Sequence, residues 1–213
     1  QYVEWLDRCI VLGQKEKERL ASCPELLKNA EEQLEKIVQT RKDFVEKYEC
    51  NLLKQFAGFA KRGRIEILAS CGTYAFLPHY ADMPEVLNAQ VETGIMSHRH
   101  FFGRAPDGFW LPYMGYVKGI ERTLRSYGIN YTVLDTHGIL FSENAPKTGI
   151  FVPDRCWNSL VVFGRDGEAS QKINGCEGFS SNPVYKNQEK DIGFELEESE
   201  LEGFLQPDSP RSN

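Results

Sequence analysis

The chain has 213 residues, enough to bury a core as a single domain, and its 41% hydrophobic and 26% charged content is that of an ordinary soluble protein. No apolar run approaches the roughly 20 residues that a membrane-spanning helix needs, and the amino terminus has no signal-peptide pattern, so a cytoplasmic chain is expected. The net charge of -6 is concentrated between Glu189 and Glu202, where seven acidic residues meet the lone Lys190, and the neutral remainder offers no footprint for nucleic acid.

That acidic stretch reads as a solvated helix face. The six cysteines, Cys9, Cys23, Cys50, Cys71, Cys156 and Cys176, include no Cys-x-x-Cys pair. A chain of this length can hold itself together by its core, so reduced thiols are expected and no cofactor or metal is implied by them.

Residues 1–62 form a predicted helical region. Val3, Leu6 and Ile10, then Leu34, Ile37, Val38, Val45, Leu52, Leu53 and Phe56, recur at three- and four-residue spacings between charges. Ser22-Cys23-Pro24-Glu25 marks the start of a second helix. Residues 63–213 read as β/α units. Gly63 stops the helix, Arg64 to Ser70 alternates as a strand, and a loop from Cys71 to His79 follows. Asp82 and Pro84 open a helix to about His100, and Arg104 to Gly108 is a turn. Phe109 to Pro112 is a second strand, Gly119 to Tyr127 a helix, and Asn130 to Leu134 a third strand. Ser159 to Phe163 is a fourth strand, after which Gly167 to Lys190 reads as a long irregular excursion. Strand, loop, helix and strand recur in that order, which points to parallel β/α architecture.

The most informative stretch is Gly108-Phe109-Trp110-Leu111-Pro112-Tyr113-Met114-Gly115-Tyr116, a short apolar run stopped by proline and glycine. It reads as a strand opening onto a loop, the place where α/β folds build sites. It resembles the nucleophile motif of glycoside hydrolase family 57, in the branch of the α-glucan branching enzymes, where Trp-Leu-Pro is followed by glutamate. Gly63-Arg64-Ile65-Glu66-Ile67-Leu68 with Thr73, Phe76, Leu77 and Pro78 is similar to another family motif. Asp135-Thr136-His137-Gly138, Phe163-Gly164-Arg165-Asp166, Ser170-Gln171 and Asp191-Ile192-Gly193-Phe194 stand in family order.

The resemblance implies part of an irregular (β/α)7 barrel, with a long helical amino-terminal insertion, acting on α-1,4-glucan with retention of configuration. It also implies a partner, α-glucan or a maltooligosaccharide. The family's first strand is expected upstream of Gln1 and its proton-donor aspartate downstream of Asn213, so the chain reads as an internal portion of a longer barrel. The departures from the family pattern fall where chemistry would be. Tyr113 stands at the nucleophilic glutamate, Tyr74 at a histidine, Lys190 at an arginine and Ser209 at a glycine.

Retaining glycoside cleavage needs two carboxyl groups about 5 to 5.5 Å apart, one of them the attacking group. With Tyr113 at that position, catalysis is expected to be impaired or lost, since a neutral tyrosine of pKa near 10 attacks poorly without an acid beside it to serve as base. Glu66 is the candidate for that base, and otherwise a substrate contact or structural ion pair. Trp110 can stack on a sugar ring or fill the core. Asp135 and His137, two apart at a strand end, face one side and suit sugar hydroxyls, a structural hydrogen bond, or a metal. Arg165 either contacts substrate or pairs with Asp166. Two further readings stay open: a non-catalytic glucan-binding or regulatory relative, and a metal-dependent sugar deacetylase that would recruit His98 and His100.

Overall fold

The computed structural model describes residues 1–185, 192–201, 203 and 204, which form two compact units: Gln1–Gly58 with Asn187–Asn213, and Phe59–Lys186. Lys190, Asp191 and Ser209 lie outside the described residues, as do Glu189 and Glu202 of the acidic stretch. The described part of that stretch makes two single turns, Ile192–Glu195 and Glu198–Glu200, in place of a continuous helix.

The first unit is built on α1 (Tyr2–Arg19) and α2 (Pro24–Lys42). Pro24 occupies the first position of α2, where a missing N–H costs nothing. Lys17 pairs with Glu31 at 2.8 Å and Asp7 with Arg41, so the partners run in opposite order and the two helices are antiparallel. These exposed pairs set register more than stability. Between the helices lies a cavity of about 380 Å³ lined by apolar side chains including Leu12, Leu20, Leu26 and Ile37. The last turn of α2 widens over Asp43–Lys47, where the Tyr48 N–H reaches back five residues to the Asp43 carbonyl at 2.9 Å. Glu49 and Cys50 then take left-handed backbone, and α3 (Leu52–Lys61) begins.

The second unit carries the sheet. Its strands are β1 (Ala69–Ser70), β2 (Gly108–Trp110), β3 (Tyr131–Asp135), β4 (Asp154–Arg155) and β5 (Val161–Arg165), in the order β1-β2-β3-β5-β4. All neighbours are parallel except β4, which pairs antiparallel with the start of β5. The helix α4 (Pro84–Phe102) joins β1 to β2, and α5 (Ile120–Ser126) joins β2 to β3. Phe109, Leu111, Leu124, Ile129 and Leu160 are wholly buried between the sheet and these helices. Gly94 sets how close α4 comes to β1, since a Cβ there would lie 1.7 Å from the Ser70 carbonyl oxygen.

Three expectations change. The strand foreseen from Arg64 shrinks to Ala69–Ser70, because the register sets residues 64–67 against 104–107, where a turn with Pro106 has no ladder to offer. The fourth strand starts two residues later than foreseen, after the β4 hairpin arm. Part of the supposed irregular excursion is a helix, α7 (Gly167–Asn174). Asp166 caps it by accepting from the Ala169 N–H at 3.0 Å, and Glu168 pairs with Lys172 one turn on. Arg165 and Asp166 therefore do not form the internal pair considered above; Arg165 turns to Asp135 instead. The five-residue helix α6 (Thr136–Leu140), between β3 and this region, begins directly on β3 with Asp135 as its cap.

Candidate functional site

In a parallel sheet all strands deliver their last residues to one edge, and this edge gathers Tyr113 after β2, Asp135 at the end of β3 and Arg165 at the end of β5. The turn Pro112–Met114 lies against β3. Two clusters result, one aromatic and one polar.

The aromatic cluster joins the loop after β1 to the turn after β2. Tyr113 is 70% exposed, and its ring meets that of Tyr74 at a centroid distance of 5.6 Å and 66°, and that of Phe76 at 6.3 Å and 64°. Trp110, half-buried at the end of β2, donates its indole N–H to the Tyr74 hydroxyl at 3.1 Å. Gly115 makes room for this arrangement, since a Cβ there would fall 2.3 Å from the Phe76 ring. Tyr74, Tyr113 and Met114 all have left-handed backbone, with φ of 54°, 56° and 53°. Such conformations are unfavourable for residues carrying a Cβ and collect at functional sites. Among the described residues, no carboxylate forms a hydrogen bond with the Tyr113 hydroxyl.

The polar cluster is anchored by Asp135. One of its oxygens accepts from the Thr136 N–H at 2.7 Å, and the other pairs with the Arg165 guanidinium. His137 stands beside it, exposed, with Nδ1 3.9 Å from Asp135 Oδ1. Asp135 and Arg165 also line an open groove with Glu168, Ser170, Gln171 and Asn174 of α7. A fixed carboxylate, a guanidinium and side-chain amides in a solvent-open groove can exchange water for the hydroxyl groups of a polyol ligand.

Glu66 is not brought to either cluster. Its carboxylate acts instead on the hydroxyl of Tyr131, the first residue of β3, at the opposite edge from Tyr113. Burial, followed by this carboxylate, pushes the Tyr131 hydroxyl up to about 12. His98 is spent on the fold: it is buried, with Nδ1 3.1 Å from the Arg104 carbonyl and Nε2 3.0 Å from that of Ile67. Among the described residues no three His, Cys, Asp or Glu side chains converge as a metal site would require.

Sequence reasoning missed Glu121. It is 1% exposed and accepts from the Gly119 N–H at 2.7 Å, the Tyr116 hydroxyl at 2.9 Å and the Trp157 indole N–H at 3.1 Å. Its own carbonyl accepts from the Asn158 amide at 2.7 Å. Burial opposes ionisation, but these donors outweigh it and hold the carboxyl below the usual glutamate value. Glu121 thereby ties the loop after β2 to the loop before β5. Nothing in its spacing marked it, because an acidic residue in a first helical turn is ordinary.

The model of glycosyl hydrolase family 57 matches residues 10–187. Among curated proteins, the chain is 27% identical over 105 residues to a 1,4-alpha-glucan branching enzyme of Thermococcus kodakarensis, a match over 42% of this chain and 15% of the relative. Among solved structures, the alpha-amylase AmyC from Thermotoga maritima superposes with a TM-score of 0.83 and 29% identity, over 100% of this chain and 41% of that one. A family 57 branching enzyme from Pyrococcus horikoshii gives 0.76 and 23%, over 89% and 37%, and shows likeness of fold. The chain thus spans well under half the length of these relatives. With most of its length matched by one family model and its parallel α/β unit shared with these structures, the chain belongs to glycosyl hydrolase family 57.

Proposed function

We propose that this chain is part of the irregular (β/α)7 barrel of an α-glucan-active protein of the branching-enzyme kind that still binds α-glucan or maltooligosaccharide but lacks the family's glycosyl-enzyme step. Residues 1–62 are its helical insertion and 63–213 its barrel portion. The cytoplasmic reading rests on the sequence; no helix among the described residues is long and apolar enough to cross a membrane.

The observation that carries the proposal is the setting of Tyr113. It occupies the strand end where the resemblance puts the nucleophile, it faces solvent, and it meets the rings of Tyr74 and Phe76, with no carboxylate hydrogen-bonded to its hydroxyl among the described residues. A phenol without a base cannot form a glycosyl-enzyme at a useful rate, and losing a nucleophile costs other enzymes about four to six powers of ten. The edge keeps what binding needs: exposed rings for a sugar face, and Asp135, His137 and Arg165 for hydroxyl groups. Trp110 contributes by orienting Tyr74 more than by direct stacking.

The test is product formation from maltoheptaose by the natural gene product, measured beside its Tyr113→Glu variant. Saturable binding with no product from the natural protein, and product gained by the variant, are expected. Cleavage or transfer by the natural protein at the rate of a carboxylate-bearing relative would overturn the reading. Metal-dependent deacetylation has no observation in its favour, given the partners of His98 and Asp135.

A further inference from the structure

The two positions where the unit departs from its family's pattern at this edge, 74 and 113, are in contact with each other. We infer that Tyr74 and Tyr113 form one hexose-stacking corner that takes a single glucose ring of an α-glucan, a subsite that rests on the glucan reading above.

Four features converge on it. Tyr74 is 50% exposed and Tyr113 70%, and neither belongs to the buried apolar cluster, so the rings are not there to fill the core. Meeting at 66°, they make an L-shaped corner in which the axial C–H face of a hexose lies on one ring while its edge meets the other. The corner is rigid. Trp110 holds the Tyr74 hydroxyl, Phe76 stands behind Tyr113, and both tyrosines are fixed in left-handed backbone that the surrounding turns must stabilise. Rings already immobilised lose little freedom when a ligand settles on them, which favours affinity. Finally, the hydroxyl-binding groups Asp135 and Arg165 lie on the same strand-end edge, which gives a ring stacked in the corner a polar neighbourhood for its rim. Tyr74 is on this view a specificity residue in its own right and not a passive replacement.

The experiment is calorimetric titration of the natural protein and of Tyr74→Ala, Tyr113→Ala and the double variant with maltoheptaose, with a β-linked cellooligosaccharide as control. Each single variant is expected to weaken maltoheptaose binding about tenfold. Because each ring needs the other to complete the corner, the double variant should lose little more than a single one, far short of the product of the two losses. Tyr74→Gly removes the ring while suiting φ of 54°, and should match Tyr74→Ala in affinity with the fold intact. If the natural protein binds maltoheptaose but both Tyr74 variants bind it unchanged, the corner is refuted and the glucan reading stands. Independent losses that multiply in the double variant would also refute the corner as one unit. No saturable binding by the natural protein would overturn the glucan reading itself. Equal affinity for the cellooligosaccharide would mark the corner as a general aromatic contact and refute an α-glucan subsite.

Discussion

The helix-packed interior of the second unit and the carboxyl edge of its sheet are built by opposite rules. In the interior every group has a partner: Thr132 is fully buried and donates to the Phe109 carbonyl at 2.7 Å, and no buried side-chain nitrogen or oxygen among the described residues lacks a hydrogen bond. At the edge, large aromatic rings stand in water on left-handed backbone, and a carboxylate and guanidinium pair across neighbouring strands. The interior spends its residues on stability, whereas the edge holds costly conformations that packing does not explain. The contrast sets the edge apart as the candidate site without reference to any motif.

The interior should break most easily at Gly94. Alanine there puts a Cβ 1.7 Å from the Ser70 carbonyl oxygen, a backbone atom that cannot swing aside, so α4 or β1 must move. Gly94→Ala should cost about 3 kcal/mol, within the range of severe overpacking, and lower the urea midpoint accordingly. An unchanged midpoint would mean that the helix is free to retreat and that the close approach contributes little.

Glu121 should come next. Replacing it with glutamine swaps a charged acceptor for an amide and leaves at least one of its three donors poorly matched, at about 2 kcal/mol. The pH dependence has a definite sign. Its folded carboxyl is held below the unfolded value, so its stabilisation is present above pH of about 4.3 and fades as pH falls through the folded value. Thermal melts of the natural protein and Glu121→Gln should therefore differ most near neutrality and converge in acid. Curves that stay parallel down to pH 3 would show that the network acts by packing alone.

Arg165→Ala samples the edge and should be milder. The pair with Asp135 is partly exposed, so its loss should change stability by less than about 1 kcal/mol. Glucan affinity should fall by more than that stability change accounts for. The opposite split would return Arg165 to a purely structural role.

How much of this contrast was legible in the sequence depended on whether a feature is local. The helix from Pro84, the strands beside Phe109 and Val133, and the start of α2 at Pro24 follow from periodicity and from proline and glycine placed at element ends. The motif series placed Tyr113 at a strand end, and the fold puts Asp135 and Arg165 on the same edge. What escaped was set by pairing across the chain. The strand from Arg64 fails for lack of a partner opposite, Arg165 finds Asp135 thirty residues away in preference to its neighbour Asp166, and Glu121 is buried by donors from two loops. Glu66 alternates correctly along its segment, but its distance from Tyr113 is a property of the sheet's direction, which no local pattern records. The corner made by Tyr74 and Tyr113 required two loops to be seen together.

The smallest effect is the most direct test of whether the edge stores strain. Tyr113 has φ of 56° and ψ of 16°, a conformation costing about 1–2 kcal/mol for any residue with a Cβ. Tyr113→Ala removes the ring contacts with Tyr74 and Phe76 and keeps that cost. Tyr113→Gly removes the same contacts and relieves it, against a chain-entropy penalty for glycine of roughly 0.5–1 kcal/mol. Glycine should therefore be more stable than alanine here by about 0.5–1 kcal/mol in urea denaturation, the reverse of the order expected at a buried helical position such as Leu124, where glycine is worse than alanine by about 1 kcal/mol. If alanine is the better residue at both positions, Tyr113 relaxes in solution to ordinary backbone and the edge follows the same rules as the interior. If the order reverses between the two sites, the strain is real, and the ring contacts and surrounding turns must hold Tyr113 against it.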